Sequence, residues 1–277
     1  ITGSGQNLQN IPKEARIIYR ADKGKILCQV DLSQSEARIV AALCDDVEWL
    51  KAFDERDLHA EVAALLYSIP VEQVQKETHR SIAKRIAHGT HYGMGYMLLS
   101  EILECPPKEA KRLKERYLEI RPSIKLWHMA VKNKIKKDHF LRTAFGVVIQ
   151  FFGPLGSFQD TDEDAAIGKV MREAVAADPQ STSVSYINQG IVKCFKEIPE
   201  FDFLLQVHDS ILFQLNDDLE TIRRVFNQIK PLIEVPLTVH GIEFIIPLNF
   251  EIGYNWGSMI ELKNLEELDE VYKGLHL

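Results

Sequence analysis

Apolar residues recur along the chain with two different periods. Lys25-Ile26-Leu27-Cys28-Gln29-Val30-Asp31 is a short β-rich run ending on a carboxylate, which predicts a strand. From Ser35 the apolar spacing becomes helical, through Ala37, Ile39, Val40 and Leu43. Further helices are predicted over Asp57–Leu66, stopped before Pro70, and over Val71–Ile86, where Gly89, Gly93 and Gly95 loosen or end the run. Pro106-Pro107 precedes a charged helix, Lys108–Ile120, and Pro122 starts another, Ile124–Lys137. Thr143–Gly156 is apolar and glycine-punctuated, a hairpin or an irregular loop. Two helices are expected next, Asp162–Ala177 and Thr182–Phe195. Phe203–Asp209 and Ser210–Leu215 read as strands joined tightly at His208-Asp209. A helix over Leu219–Ile229 follows, then strands over Val235–Val239 and Ile245–Ile252. Long helical runs between separated strands predict an α+β fold with a helical subdomain, not regular βαβ units.

A chain of 277 residues, 45% hydrophobic, can bury one large core or two intimate ones. No apolar run reaches the length of a membrane span, and Ile1-Thr2-Gly3-Ser4-Gly5 has no signal-peptide character, so no membrane partner is expected. Cys28, Cys44, Cys105 and Cys194 are scattered without a paired metal motif. They read as reduced thiols of an intracellular protein, in the cytoplasm or nucleoid if it is bacterial or phage. The net charge of −7 argues by itself against a nucleic-acid partner. Its distribution is uneven. Basic residues crowd Lys108–Arg142, and acidic ones the tail beyond Trp256. A basic stretch of this kind is more often a solvated helix face than a binding site.

Asp31 and Asp209 end or join apolar strands, where a carboxylate is costly unless paired or liganded. Two converging carboxylates would offer hard oxygen ligands to Mg²⁺ and could serve two-metal phosphoryl transfer. Taken singly, each is equally a turn aspartate or a strand-end cap.

Three motifs change that balance. Asp31-Leu32-Ser33-Gln34-Ser35-Glu36-Ala37-Arg38 is similar to D-Y-S-Q-x-E-x-R. Arg80, Lys84, His88-Gly89 and Tyr92-Gly93 are spaced as in R-x-x-x-K-x-x-x-F-G-x-x-Y-G. Gln206-Val207-His208-Asp209-Ser210 is similar to Q-V-H-D-E. With Asn7-Leu8-Gln9-Asn10-Ile11-Pro12 in front and Gly253-Tyr254-Asn255-Trp256 behind, the chain resembles the bacterial DNA polymerase I family, often called family A.

The resemblance implies a right-hand polymerase palm, an antiparallel sheet, with inserted helical fingers. Palm would occupy residues 1–60 and 171–260, fingers 61–170, and an acidic extension 261–277. It implies template-directed addition of deoxynucleoside monophosphates to a primer 3′-hydroxyl, with primer-template DNA and deoxynucleoside triphosphates as partners. Asp31, Asp209 and the backbone carbonyl of Leu32 would hold two Mg²⁺ ions, with Mn²⁺ a possible substitute. Arg80 and Lys84 would grip the triphosphate, and Lys84 would also protonate the departing pyrophosphate. His88, Tyr92, Glu36 and Gln34 would line the nucleotide site. Glu36, bonded to Tyr92, would exclude a ribose 2′-hydroxyl. Gln180, Arg172, Gln206, His208 and Tyr92 would touch DNA.

Four positions depart from the family pattern. His88 stands for an aromatic ring, Ser210 for a glutamate, Ala176 for an asparagine, and Val147-Val148-Ile149 for a more basic sequence. The family's thumb, first palm strands and an arginine lie upstream of its N-L-Q-N-I-P segment and have no counterpart in these residues. A fragment or one subunit of a split enzyme is therefore expected, completed by an upstream segment or a thumb-bearing chain. The alternative is a catalytically inactive, polymerase-like subunit that binds DNA or a partner. Retention of Asp31, Arg80, Lys84 and Asp209 argues against it. A nuclease would need no triphosphate-gripping helix, and no P-loop is present. On this expectation residues 1–277 alone extend a primer poorly, because the primer terminus must also be held in line. Adding a thumb-bearing chain should restore extension in a gel-based primer assay. Full extension by the isolated monomer would refute the expectation.

Overall fold

The computed structural model describes residues 11–152 and 168–276. The elements in chain order are β1 (Lys25–Leu32), α1 (Ser35–Leu43), α2 (Val47–Glu55), α3 (Leu58–Tyr67), α4 (Ser81–His91), α5 (Tyr96–Leu103), α6 (Pro107–Ile120) and α7 (Pro122–Asp138). There follow β2 (Phe140–Arg142), β3 (Val148–Gln150), α8 (Lys169–Glu197), β4 (Asp202–Val207), β5 (Ser210–Asn216) and α9 (Leu219–Ile233). The chain closes with β6 (Leu237–Val239), β7 (Ile242–Phe244), β8 (Leu248–Gly253), β9 (Ile260–Leu262) and α10 (Leu268–Leu275). They pack as two compact units. One comprises the chain up to Ser35, Ser183–Leu237 and everything from Glu243; the other comprises Glu36–Thr182 and Thr238–Ile242. The divisions fall inside α1 and α8, whereas the motifs suggested residues 60 and 170. Packing draws the first pair of lines; palm and fingers name what parts do with DNA.

The first unit is built on an antiparallel five-stranded sheet in the order β4-β5-β1-β8-β9. β1 lies at its centre, which is why its sequence is an apolar run. Ile26, Cys28 and Val30 are fully buried on one face. Leu27, on the other, joins Val207, Leu212 and Trp256 in a buried cluster. α9 is strongly two-sided and buries Ile222, Val225, Phe226 and Ile229. The Phe226 ring lies 4.7 Å from that of Phe250 on β8 and 6.4 Å, edge-on, from that of Phe213 on β5. Two of the unit's buried side chains, Trp256 and Gln214, have their polar groups paired. The Trp256 indole N–H donates to Gln29 Oε1 at 2.9 Å, and Gln214 Nε2 donates to both Asp22 and Asp202 at 2.8 Å. The acidic tail belongs to this unit. β9 adds an edge strand beside β8, and α10 is tied down by an Arg223–Asp269 ion pair and by the Tyr272 hydroxyl, which donates to Asp217 at 3.0 Å.

The second unit is mainly helical. Asp46 and Asp57 cap α2 and α3, accepting from the backbone N–H groups of Trp49 (2.9 Å) and Ala60 (3.1 Å). His91 is buried at the end of α4. Its Nε2 bonds the Tyr117 hydroxyl at 2.7 Å, and its carbonyl accepts from His128 Nε2 at 2.8 Å. Burial, and then the neighbouring charges of His88 and His128, push the His91 pKa down to about 3, so the ring is neutral at pH 7. Arg38, also buried, pairs with Asp54 at 2.8 Å and lies over the Phe53 ring.

Three expectations are corrected. Val71–Ile86 is not one helix: Val71–Gln73 is a 3₁₀ turn, Val74 and Gln75 are extended, Lys76–Arg80 is a π turn, and α4 starts at Ser81. Residues 75–81 include no apolar side chain, so nothing buried supports a regular helix there. The two helices expected around Pro179 are one, α8; residues 162–167, which the first of them was to include, lie outside the described residues. Pro179 removes a donor and costs about 3 kcal/mol in a helix interior. Buried Ala174, Val175, Tyr186 and Ile187 on either side of it offset that cost. Finally, β8 begins at Leu248 rather than Ile245, since Pro247 has no N–H for the ladder.

Among the described residues no helix is long and apolar enough to cross a membrane. All four cysteines are free, and burial pushes each thiol pKa up, away from reactivity. At Gly190 of α8 an added Cβ would stand 2.7 Å from Cγ1 of Ile233, a buried residue of α9. Gly190→Ala should therefore cost about 1–3 kcal/mol by overpacking. A thermal melt reads this directly, and an unchanged midpoint would contradict the close packing of α8 on α9.

Candidate active site

The predicted residues fall into two groups, one on each unit. On the first unit, Asp31 is the penultimate residue of β1, paired with Ser210 of β5 on one side and Asn249 of β8 on the other. Asp209 precedes Ser210 in the tight β4–β5 turn. The Leu32 N–H donates to the Asp209 carbonyl at 3.2 Å. Two carboxylate-bearing residues 178 positions apart (209 − 31) thus stand at one end of one sheet. The turn is braced. His208 adopts the left-handed region at φ 54°, Gln206 Nε2 donates to the His208 carbonyl at 3.2 Å, and Ser210 Oγ donates to the Val207 carbonyl at 2.9 Å. Ser210, where the family pattern has a glutamate, is therefore used within the turn. Asp31 and Asp209 are half-buried, and His208 and Gln34 exposed. Asp209 Oδ2 accepts from Ser35 Oγ at 2.6 Å, and Ser35 Oγ from Ser183 Oγ at 2.9 Å.

On the second unit, Arg80 closes the π turn with helical backbone angles (φ −66°, ψ −40°), so it runs straight into α4. Lys84 and His88 follow at four-residue steps and are exposed on one stripe. Tyr92 caps α4; its hydroxyl donates to the Glu36 carboxylate, and its ring meets that of His88 edge-on at 4.9 Å. The Glu36–Tyr92 bond expected from the motifs is thus present. Arg172 and Gln180 lie on α8, half-buried and exposed respectively.

A family model described as DNA polymerase family A matches residues 1–258. The chain belongs to DNA polymerase family A. The thermostable DNA polymerase I of Thermus aquaticus is 29% identical to this family A chain over 91% of its length. DNA polymerase I of Helicobacter pylori is 33% identical over 86%. The chain spans 30% and 27% of those two relatives. Among solved structures, the polymerase domain of Pol1 from M. smegmatis, in complex with a DNA primer-template and dNTP, superposes with a TM-score of 0.75 at 26% identity. That match covers 91% of this chain and 44% of the other. The mixed fold, a central sheet with flanking helices, is consistent with a polymerase palm.

Sequence reasoning missed several groups around Arg80. Arg80 Nε donates to Asp57 Oδ2 at 2.7 Å. Burial alone would raise the Asp57 pKa. The bonds from Arg80 and the Ala60 N–H, with the Arg80 charge, outweigh it and hold the carboxyl below its ordinary range. His59 lies close by. Burial first, then the charges of Arg80 and Lys84, lower its pKa to about 4. Asp57 and His59 lie outside the Arg80–Lys84 motif, so only folding associates them with it. The basic stretch is also less free than its count suggests. Arg112 pairs with Glu109 at 2.6 Å, Lys134 with Asp138 at 2.7 Å, and Arg116 bonds the Leu65 carbonyl at 2.7 Å.

Asp57→Ala should cost about 1 kcal/mol at pH 7 through the lost cap, and Asp57→Ser, which keeps a capping oxygen, less. A depressed carboxyl stabilises the fold above its unfolded pKa, about 4, and loses that contribution as pH falls through the lower folded value. The gap between wild type and Asp57→Ala in urea melts should narrow from pH 7 to pH 3. An equal gap at both would contradict the ion pair.

Proposed function

We propose that this chain carries the catalytic residues of a template-directed DNA polymerase, which joins a deoxynucleoside monophosphate to a primer 3′-hydroxyl and releases pyrophosphate. The observation that carries the reading is the adjacency of Asp31 and Asp209 at one end of the sheet, with the Asp209 carboxylate held by Ser35. Their oxygens fit Mg²⁺. Mg²⁺ takes one or two carboxylates and completes its shell with water and substrate phosphate; among the described residues no group of three His, Cys, Asp or Glu side chains could hold a metal ion. Asp31, Asp209 and the Leu32 carbonyl would hold two such ions, and Mn²⁺ offers the same oxygen preference. When bound, the metals make the primer hydroxyl a better nucleophile and neutralise charge on the leaving oxygen.

The remaining roles follow the family motifs. The sheet-bearing unit acts as palm and the helical unit as fingers. Arg80 and Lys84 bind the triphosphate through charge-assisted hydrogen bonds, and Lys84 supplies a proton to pyrophosphate. His88 packs against the nucleotide sugar. Glu36, held by Tyr92, blocks a 2′-hydroxyl, and Gln34 contacts the incoming nucleotide. Gln206 and His208 contact the primer end, while Arg172 and Gln180 check the minor groove, whose acceptors are nearly common to all base pairs. Magnesium, primer-template and deoxynucleotides are the proposed ligands.

Asp31→Ala and Asp209→Ala, assayed in the complete assembly, should each abolish primer extension while leaving duplex binding near wild type in a fluorescence titration. Extension at near wild-type rates by either variant would sink the reading. Wild-type protein that binds primer-template but never extends it would favour the inactive-subunit alternative.

A further inference from the structure

We infer that the buried hydroxyls of Ser35 and Ser183 form a relay that positions the Asp209 carboxylate for a divalent cation; this rests on the function proposed above. Ser35 is 1% and Ser183 2% exposed, so neither hydroxyl is placed there for solvent. The direction of the bonds follows from chemistry. An ionised carboxylate only accepts, so Ser35 spends its single proton on Asp209 Oδ2 and must accept from Ser183. Each hydroxyl polarises the next, and the final bond is charge-assisted.

The local backbone brings Ser35 to this place. Gln34 sits in the left-handed region at φ 52°, which a side chain other than glycine adopts only when its surroundings hold it there. Beside it the Ser33 N–H donates to the Pro247 carbonyl at 2.8 Å, anchoring the β1–α1 turn to the strand segment before β8. Ser35 then opens α1 with its hydroxyl turned away from its own helix. A serine with only a local role would bond backbone within a turn of itself. This one reaches a residue 174 positions away.

Position 35 is the unspecified x of the D-Y-S-Q-x-E-x-R pattern, so the family motif does not call for a hydroxyl there. At the other end of the pair the motif's glutamate is replaced by Ser210, whose hydroxyl is used on Val207. Relative to the motifs this chain therefore has one carboxylate fewer beside Asp209 and hydroxyls at positions 35 and 210, of which that of Ser35 bonds the Asp209 carboxylate. Holding Oδ2 fixes the plane of the carboxylate and leaves Oδ1 to meet a cation already oriented. Outer hydrogen bonds of this kind commonly set metal affinity.

The test is Mn²⁺ binding to the full chain, followed by electron paramagnetic resonance of the free ion, with melting temperature as the control for folding. Ser35→Ala should bind Mn²⁺ about 10-fold more weakly while melting close to wild type. Ser183→Ala should weaken binding by a smaller factor. The double variant should match Ser35→Ala, because Ser183 acts only through Ser35. Should Ser35→Ala fail to fold, Ser183→Ala alone decides: an unchanged affinity overturns the relay. Additive losses in the double variant overturn it too. Asp209→Asn separates the two readings. If it leaves Mn²⁺ binding intact, the metal site itself is wrong. If it removes binding while Ser35→Ala and Ser183→Ala do not weaken it, only the relay falls.

Discussion

The register between β1 and β5 is the constraint on which the rest depends. Asp31 faces Ser210, and the Leu32 N–H reaches the Asp209 carbonyl, because the strands are aligned on those residues and no others. Side chains alternate along a strand, so a slip of one residue would exchange the faces of every side chain on β5. Asp31 and Asp209 would then no longer stand at neighbouring rungs. The register is pinned from two sides. β1 is also paired along its length with β8, and the turn before β5 is closed by the Ser210 and Gln206 side chains.

Such a sheet places polar groups at the ends of apolar strands, where unpaired ones are costly. The two ends meet this cost differently. Where β1 begins, Lys25 pairs with Asp202, and Gln214 bridges Asp202 and Asp22, so a cation and an amide satisfy the carboxylates. Where β1 ends, Asp209 is held by the Ser35 hydroxyl, and both carboxylates remain half-buried. A neutral hydroxyl orients a carboxylate without adding a charge of its own. On the helical unit, Arg80, Lys84 and His88 follow one another at four-residue steps, with Asp57 bonded to the first of them.

What could be read in advance was whatever rested on short-range pattern. β1, the β4–β5 turn at His208-Asp209, and the helices beginning near Pro107 and Pro122 stand close to where apolar spacing and proline placed them. The four-residue steps Arg80, Lys84 and His88 needed only helical periodicity. Errors arose where packing overrides pattern. Pro179 marked a break that α8 does not make, since buried residues on both sides carry the helix through it. The polar segment Lys76–Arg80 looked like part of a helix and is a π turn. The basic stretch was legible as a count of charges, but not as the set of ion pairs that Glu109 and Asp138 make of it.

By itself the sequence determined the family, because residue identities at fixed short spacings survive without any coordinates, and it named both aspartates and the Arg80–Lys84 pair. Tertiary structure decided which distant groups meet. Ser35 and Ser183 lie 148 residues apart and bond one another beneath Asp209; Asp57 and Arg80 lie 23 apart and share an ion pair. The physical reason is that a hydrogen bond depends on distance and direction in space. Separation along the chain carries neither until strand register and helix packing have set them.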